Sequence, residues 1–90
     1  LFFIKEDVTH ILTFDRREYK LNKSLEEMER LSPGSFFRAN RQFLVNRRAI
    51  KDSSQYFARK LAVNLVVPFE EKITISKTKV TEYLNWLSGH

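Results

Sequence analysis

Phe36-Phe37-Arg38-Ala39-Asn40-Arg41-Gln42-Phe43-Leu44-Val45-Asn46 decides how the chain is read, because it sets a polar cluster between two short apolar anchors. Phe36 to Ala39 suggests a strand. Phe43-Leu44-Val45 forms either a second strand or a single helical turn, since a short apolar run does not separate the two. Asn40, Arg41 and Gln42 between them are side chains suited to base edges: Arg offers two donors that match guanine O6 and N7, whereas Asn and Gln offer a donor and an acceptor that match adenine N6 and N7. A loop fixed by Phe37 and Phe43 would hold them in place, and the flanking Arg47, Arg48 and Lys51 would engage phosphates. The plainer alternative is that Arg38 and Asn46 pair internally while Arg41 is merely exposed.

Outward from this stretch the pattern is mostly of period two. Val8 to Phe14 alternates, with Val8, His10, Leu12 and Phe14 on one face and Thr9, Ile11 and Thr13 on the other, which predicts a strand. Asp15 to Glu18 interrupts it and Tyr19 to Leu21 resumes it, a hairpin without the favoured Asn-Gly turn. Ahead lies a short strand, Phe2 to Ile4, and the polar loop Lys5-Glu6-Asp7. Ser24 followed by Glu27 is a capping box that starts a helix of about two turns, with Leu25, Met28 and Leu31 on one side and Ser32-Pro33-Gly34 as its stop. Ala49 to Phe57 and Lys60 to Val67 read as two more strands, with a polar turn at Ser53-Ser54, and Pro68 ends the second. Ile73 to Ile75 is the last short strand. Val80, Tyr83, Leu84 and Leu87 then recur at helical spacing, with Ser76 or Thr78 as the cap and Gly89 just past the end. The fold class is mainly β at the margin of α+β: antiparallel sheets with a short early helix and a C-terminal one.

Ninety residues, 42% of them hydrophobic, carry 16 Lys and Arg against 11 Asp and Glu, a formal net charge of +5, and fit one small globular domain over 1–90. The excess is local. Between Phe36 and Asn64 stand Arg38, Arg41, Arg47, Arg48, Lys51, Arg59 and Lys60 against one acid, Asp52, as expected of a region that meets a polyanion. The absence of cysteine excludes a disulfide scaffold, a thiol nucleophile and a zinc–thiolate site, and agrees with a cytoplasmic location. The longest apolar stretches, such as Leu65 to Phe69, fall far short of the ~20 residues of a membrane helix, and no secretory signal opens the chain. Leu1 in place of Met predicts that these residues belong to the C-terminal part of a longer protein.

Catalysis has little to stand on. The carboxylate pairs Glu6-Asp7, Glu26-Glu27 and Glu70-Glu71 are sequence neighbours that point apart in extended chain or complement a helix start. Of the two imidazoles, His10 lies in a strand and His90 at a frayed end. No nucleophile elbow and no glycine-rich phosphate loop occurs. The reading is therefore no enzyme, no metal and no cofactor.

Phe37-Arg38-x-Asn40-Arg41-Gln42-Phe43-x-Val45-Asn46, followed by Ile50, resembles the Phe-x-Arg-x-His-Arg-Ser-Tyr-x-Val-Asn run of the LytTR DNA-binding domains of bacterial response regulators. The resemblance extends through Phe3-Ile4, Ser24-Leu25 and Ile75-Ser76-Lys77, and covers essentially the whole chain in order. It implies antiparallel sheets with short helices and sequence-specific binding of double-stranded DNA for transcription regulation. It further implies that loops, not a recognition helix, enter successive major grooves. Carried over by motif, the first contact loop runs from Lys5 to His10, the second surrounds Asn40-Arg41-Gln42, and the third is Lys77-Thr78-Lys79. Arg38 belongs to the second motif. Asn40 stands where the family has His, Gln42 where it has Ser and Lys77 where Arg is common, which predicts a different set of bases. His10 either contacts DNA or sits partly buried in its strand, in which case Thr9 faces outward.

The resemblance also implies the output domain of a two-component response regulator, an N-terminal receiver or sensor domain outside this stretch, and a dimer on paired or direct-repeat sites. The alternatives are an RNA-binding β domain, which would stack unpaired bases on exposed aromatics although most Phe and Tyr fall at core positions, and a protein-interaction module, which would show little salt dependence.

Overall fold

The computed structural model describes residues 1–89; His90, expected to fray, lies outside them. The described elements are β1 (Phe2–Lys5), β2 (Val8–Leu12), β3 (Glu18–Leu21), α1 (Leu25–Leu31), β4 (Phe36–Asn40), β5 (Phe43–Asn46), β6 (Ile50–Gln55), β7 (Leu61–Leu65), β8 (Ile73–Ile75) and α2 (Val80–Ser88). The strands form two sheets, ordered β3-β2-β1-β5-β4 and β6-β7-β8, and every pairing is antiparallel. This is the expected mainly β architecture with one early and one terminal helix.

The ambiguous apolar runs are strands covered on both faces. In β5, Phe43 and Val45 point into a core shared with Val63, Ile73 and Ile75 of the second sheet and with Tyr83 of α2, while Leu44 points the other way, to Leu25 of α1. In β1, Phe3 and Phe2 divide between the same two cores. A strand buried on both sides reads as a continuous apolar run rather than an alternating one, which is why the sequence pattern left Phe43 to Val45 open. Each such fully buried side chain contributes roughly 1.5–3 kcal/mol.

The capping box of α1 forms as the sequence predicts: Glu27 N–H donates to Ser24 Oγ at 3.2 Å, and Ser24 N–H donates to the Glu27 carboxylate at 3.1 Å. Seven residues are too few for a helix to stand alone, so α1 depends on this cap and on the burial of Leu25. The hydrogen bonds, that from the Ser24 main chain foremost, hold the Glu27 carboxyl below its usual range.

Several expectations are corrected. Leu31 does not share the buried face of α1; it is 65% exposed. The first alternating strand ends at Leu12, because Thr13 N–H turns to bond Arg17 O. Ser53-Ser54 is no turn but lies inside β6, paired with Val63 and Ala62. The turn between β6 and β7 falls at Phe57–Arg59, where Ala58 (φ 60°) and Arg59 (φ 62°) take the left-handed conformation. Neither Ser76 nor Thr78 caps α2; the two hydroxyls hydrogen-bond each other at 3.3 Å, and a 3-10 turn over Lys77–Lys79 leads into the helix. Leu84 is exposed although its spacing places it with Val80 and Tyr83, and Trp86 packs in its stead. Phe14, Tyr19, Tyr56 and Phe57 are exposed rather than core residues.

Candidate nucleic-acid interface

The quoted stretch folds into the β4–β5 hairpin, and its tip is braced from within. The register passes from Arg38 opposite Leu44 to Asn40 opposite Phe43, so Ala39 is an extra residue that bends the strand end. Asn40 Oδ1 accepts from Gln42 N–H at 2.8 Å, a side-chain-closed turn of the kind Asn favours. The guanidinium of Arg38 donates from Nε to Asn40 O at 2.8 Å and from Nη2 to Arg41 O at 2.9 Å, and its Nη1 meets Glu26 at 2.9 Å. Arg38 therefore supports the main chain of the turn from beneath. Arg41 and Gln42, at the tip, project their side chains into solvent.

The other two expected loops are bonded to this tip. Ile4 N–H donates to Gln42 O at 2.9 Å, which fixes the β1–β2 turn beside it. That turn has two central residues, Glu6 (φ 53°) and Asp7 (φ 63°), the primed geometry that matches strand twist, with Lys5 exposed at its edge. On the other side, Asn40 Nδ2 donates to Thr74 O at 3.1 Å and Lys79 Nζ donates to Arg38 O at 2.6 Å. Lys79 Nζ also lies 5.1 Å from the ring centre of Phe37. Lys77 and Thr78 remain exposed on the 3-10 turn. Three loops remote in sequence thus converge at one end of the two sheets, and residues on two of them, Asn40 and Lys79, are the ties.

Not every expected contact residue arrives there with a side chain to offer. Thr9 and His10 are both only 6% exposed. Strand β2 lies between β1 and β3 with both faces covered: His10 stacks on Phe3 at 5.3 Å, its Nδ1 3.0 Å from a Glu18 carboxylate oxygen, and Thr9 lies at the floor of a groove beside α1. The outward-facing Thr9 is corrected, and the buried alternative for His10 is the one that forms. Arg38, Asn40 and Lys79 hold the loops together, as described above. Asn46 caps the following 3-10 turn, accepting from Arg48 N–H at 2.8 Å.

Arg47, Arg48 and Lys51 do not flank the tip. They follow the far end of β5, whose four residues at ~3.3 Å each put roughly 13 Å of strand between them and the tip. Arg47 packs over Trp86, 4.7 Å from the ring centre, and donates to Trp86 O at 2.5 Å, so it anchors α2. Arg48 and Lys51 are exposed at that far end. The basic run is continuous in sequence but divided in space, because β5 carries Arg47, Arg48 and Lys51 away from the tip and β6 runs back toward it.

One cation counted in the basic run but assigned to no contact loop is present at the tip. Lys60, which immediately precedes β7, lines the same cleft as Arg41 and Lys79. Only the antiparallel pairing of Leu61 with Ile75 brings it there.

No group of three His, Cys, Asp or Glu side chains able to hold a metal occurs among the described residues. No helix among them is long and apolar enough to cross a membrane. Antiparallel sheets that present Arg, Gln and Lys on braced turns at one end form a basic surface suited to a nucleic acid. Residues 1–88 match the LytTr DNA-binding domain, and the chain belongs to that family. Its partner is accordingly DNA, in transcription regulation. Among solved structures, the fold is similar to that of a LytTr DNA-binding domain from Bacillus cereus, described as part of a methyl-accepting/DNA response regulator. The TM-score is 0.77 over 99% of this chain and 79% of that one, at 23% identity, a likeness of fold. No curated protein matches the sequence.

Proposed function

We propose that the domain binds double-stranded DNA sequence-specifically through its three converging loops, with the β4–β5 tip entering a major groove and the β1–β2 and 77–79 turns reaching the neighbouring backbone or groove. The observation that carries this reading is the division of labour at the tip: Arg38 and Asn40 bond its main chain internally, while Arg41 and Gln42 leave its surface exposed. A turn held this way keeps Arg41 oriented before DNA arrives, so less rotational freedom is lost on binding. Arg41 is assigned to a guanine edge and Gln42 to an adenine edge. Lys5, Lys77 and Thr78 are assigned to phosphates, for which a point charge or a hydroxyl suffices.

The wider setting follows the same reading. These residues act as the output domain of a two-component response regulator in the bacterial cytoplasm. They work with a receiver or sensor domain elsewhere in the protein, and as a dimer on paired or direct-repeat sites.

Selection from a random duplex library at about 150 mM salt, where non-specific phosphate attraction is weakened, tests the reading. The expected result is an enriched motif whose halves are spaced by about one helical turn. With that motif, Arg41→Ala loses about 1–3 kcal/mol and relaxes preference at one base position. No enrichment, with retention vanishing as salt rises, would overturn base reading and leave only a basic surface.

A further inference from the structure

We propose that the β6–β7 loop is a fourth DNA-contacting element, and that Lys60 holds a backbone phosphate in the cleft between this loop and the β4–β5 tip; the proposal rests on the duplex-binding reading above. The cleft has a volume of about 430 Å³ and is lined by Arg38, Arg41, Lys60 and Lys79 together with Asn40 and Ser76 among others, with no carboxylate in its wall. Two of those cations have protein partners: Arg38 meets two carbonyls and Glu26, and Lys79 meets the Arg38 carbonyl. Lys60 has a different environment. Its ammonium lies 5.6 Å from the ring centre of Phe57, and no acid lies within 4.0 Å of it among the described residues. An aromatic face orients a cation without neutralising it, which leaves the full charge for an anion.

The loop that carries Lys60 is shaped to present it. Tyr56 N–H donates to Lys60 O at 2.9 Å and closes the loop at its base. Between them Ala58 and Arg59 take left-handed dihedrals, at a cost of roughly 1–2 kcal/mol for each residue with a Cβ. That conformation turns the chain within three residues, so that Arg59 is exposed and Lys60 lies beside β8 and the 3-10 turn. Arg41 and Lys60 then face one cleft from two sheets. A phosphodiester fits this geometry because a groove-inserted Arg41 has sugar-phosphate backbone on either side of it, and Lys60 stands on one of those sides. A point-charge donor on a flexible stem serves a phosphate and carries no base information.

The test uses the folded domain and the duplex enriched by the selection above, with affinity measured by fluorescence anisotropy over a salt series. For wild type, the slope of log affinity against log salt counts phosphates neutralised, at about 0.9 per contact. Lys60→Gln is expected to flatten that slope by about 1 and to weaken cognate and random duplexes by the same factor, leaving base ranking unchanged. Lys60→Arg keeps the charge and restores the slope, which separates charge from packing on Phe57. A duplex with one uncharged methylphosphonate linkage at the position facing Lys60 weakens wild type and leaves Lys60→Gln unaffected. Wild-type binding with an unchanged slope for Lys60→Gln overturns the proposal alone. Absence of any preferred duplex for wild type overturns the DNA reading on which it rests.

Discussion

Replacing Arg38 by Ala is expected to damage the fold before it damages recognition, although Arg38 sits in the middle of the motif that points to DNA. Its side chain is 21% exposed and makes two charge-assisted bonds to main-chain carbonyls, of Asn40 at 2.8 Å and of Arg41 at 2.9 Å. Bonds of this kind contribute about 1.5–3 kcal/mol each, but two on one guanidinium act together and do not add in full. The ion pair with Glu26, whose side chain is largely exposed, contributes under about 1 kcal/mol. The expected loss for Arg38→Ala is therefore about 2–4 kcal/mol. A chain of this length has a total stability of about 5–13 kcal/mol, so the melting temperature should fall by roughly 10–30 °C. Urea unfolding and thermal melts followed by circular dichroism measure this directly. Arg41→Ala is the comparison, with stability expected within about 0.5 kcal/mol of wild type. The reasoning fails if Arg38→Ala is as stable as wild type and instead loses preference at a single base position, for then Arg38 reads DNA and Arg41 supports it.

Four further outcomes follow from local chemistry. Ala58→Gly is expected to stabilise the domain by up to about 1 kcal/mol, because glycine accepts φ 60° without a Cβ penalty although it orders more backbone; a lower urea midpoint would contradict this. Ser24→Ala should cost about 1 kcal/mol through loss of the α1 cap. Because the folded Glu27 carboxyl titrates below its ordinary 4.5, its contribution is present above that pH and is lost as pH falls through the folded value. Glu27→Gln should flatten this acid limb in a pH series of unfolding curves. Burial raises the Tyr83 hydroxyl above its ordinary 10.0, against the opposing effect of its hydrogen bond with Ser53 at 2.6 Å. Stability from Tyr83 is therefore full below pH 10.0 and is lost as pH rises through the folded value. Tyr83→Phe should remove that alkaline decline, and an unchanged decline would place its cause elsewhere.

The residues show what was legible and why. The Ser24–Glu27 cap was readable because both partners lie within one turn of chain. The strand periods of β2 and β3 were readable because alternation is a property of consecutive residues. The β6–β7 turn was misread, because Ser53-Ser54 has the polarity of a turn while Ala58-Arg59 does not. The backbone there is left-handed because the pairing of Gln55 with Leu61 demands a tight reversal, not because the residues favour it. Thr9 and His10 could not be oriented from period alone, since a strand covered on both faces has no outward side.

The same division holds for the binding surface. The sequence alone established the family motif, the fold class and the presence of Arg41 and Gln42 between two apolar anchors, because each of these depends on near neighbours in the chain. Only the tertiary structure decided which cations act together. Packing of the two sheets carried Arg47, Arg48 and Lys51 away from the tip, brought Lys60 to it, and committed Arg38, Asn40 and Lys79 to holding the loops. The physical reason is that charge acts through space, over distances of a few ångströms that strand pairing sets, whereas a count of basic residues registers only their order along the chain.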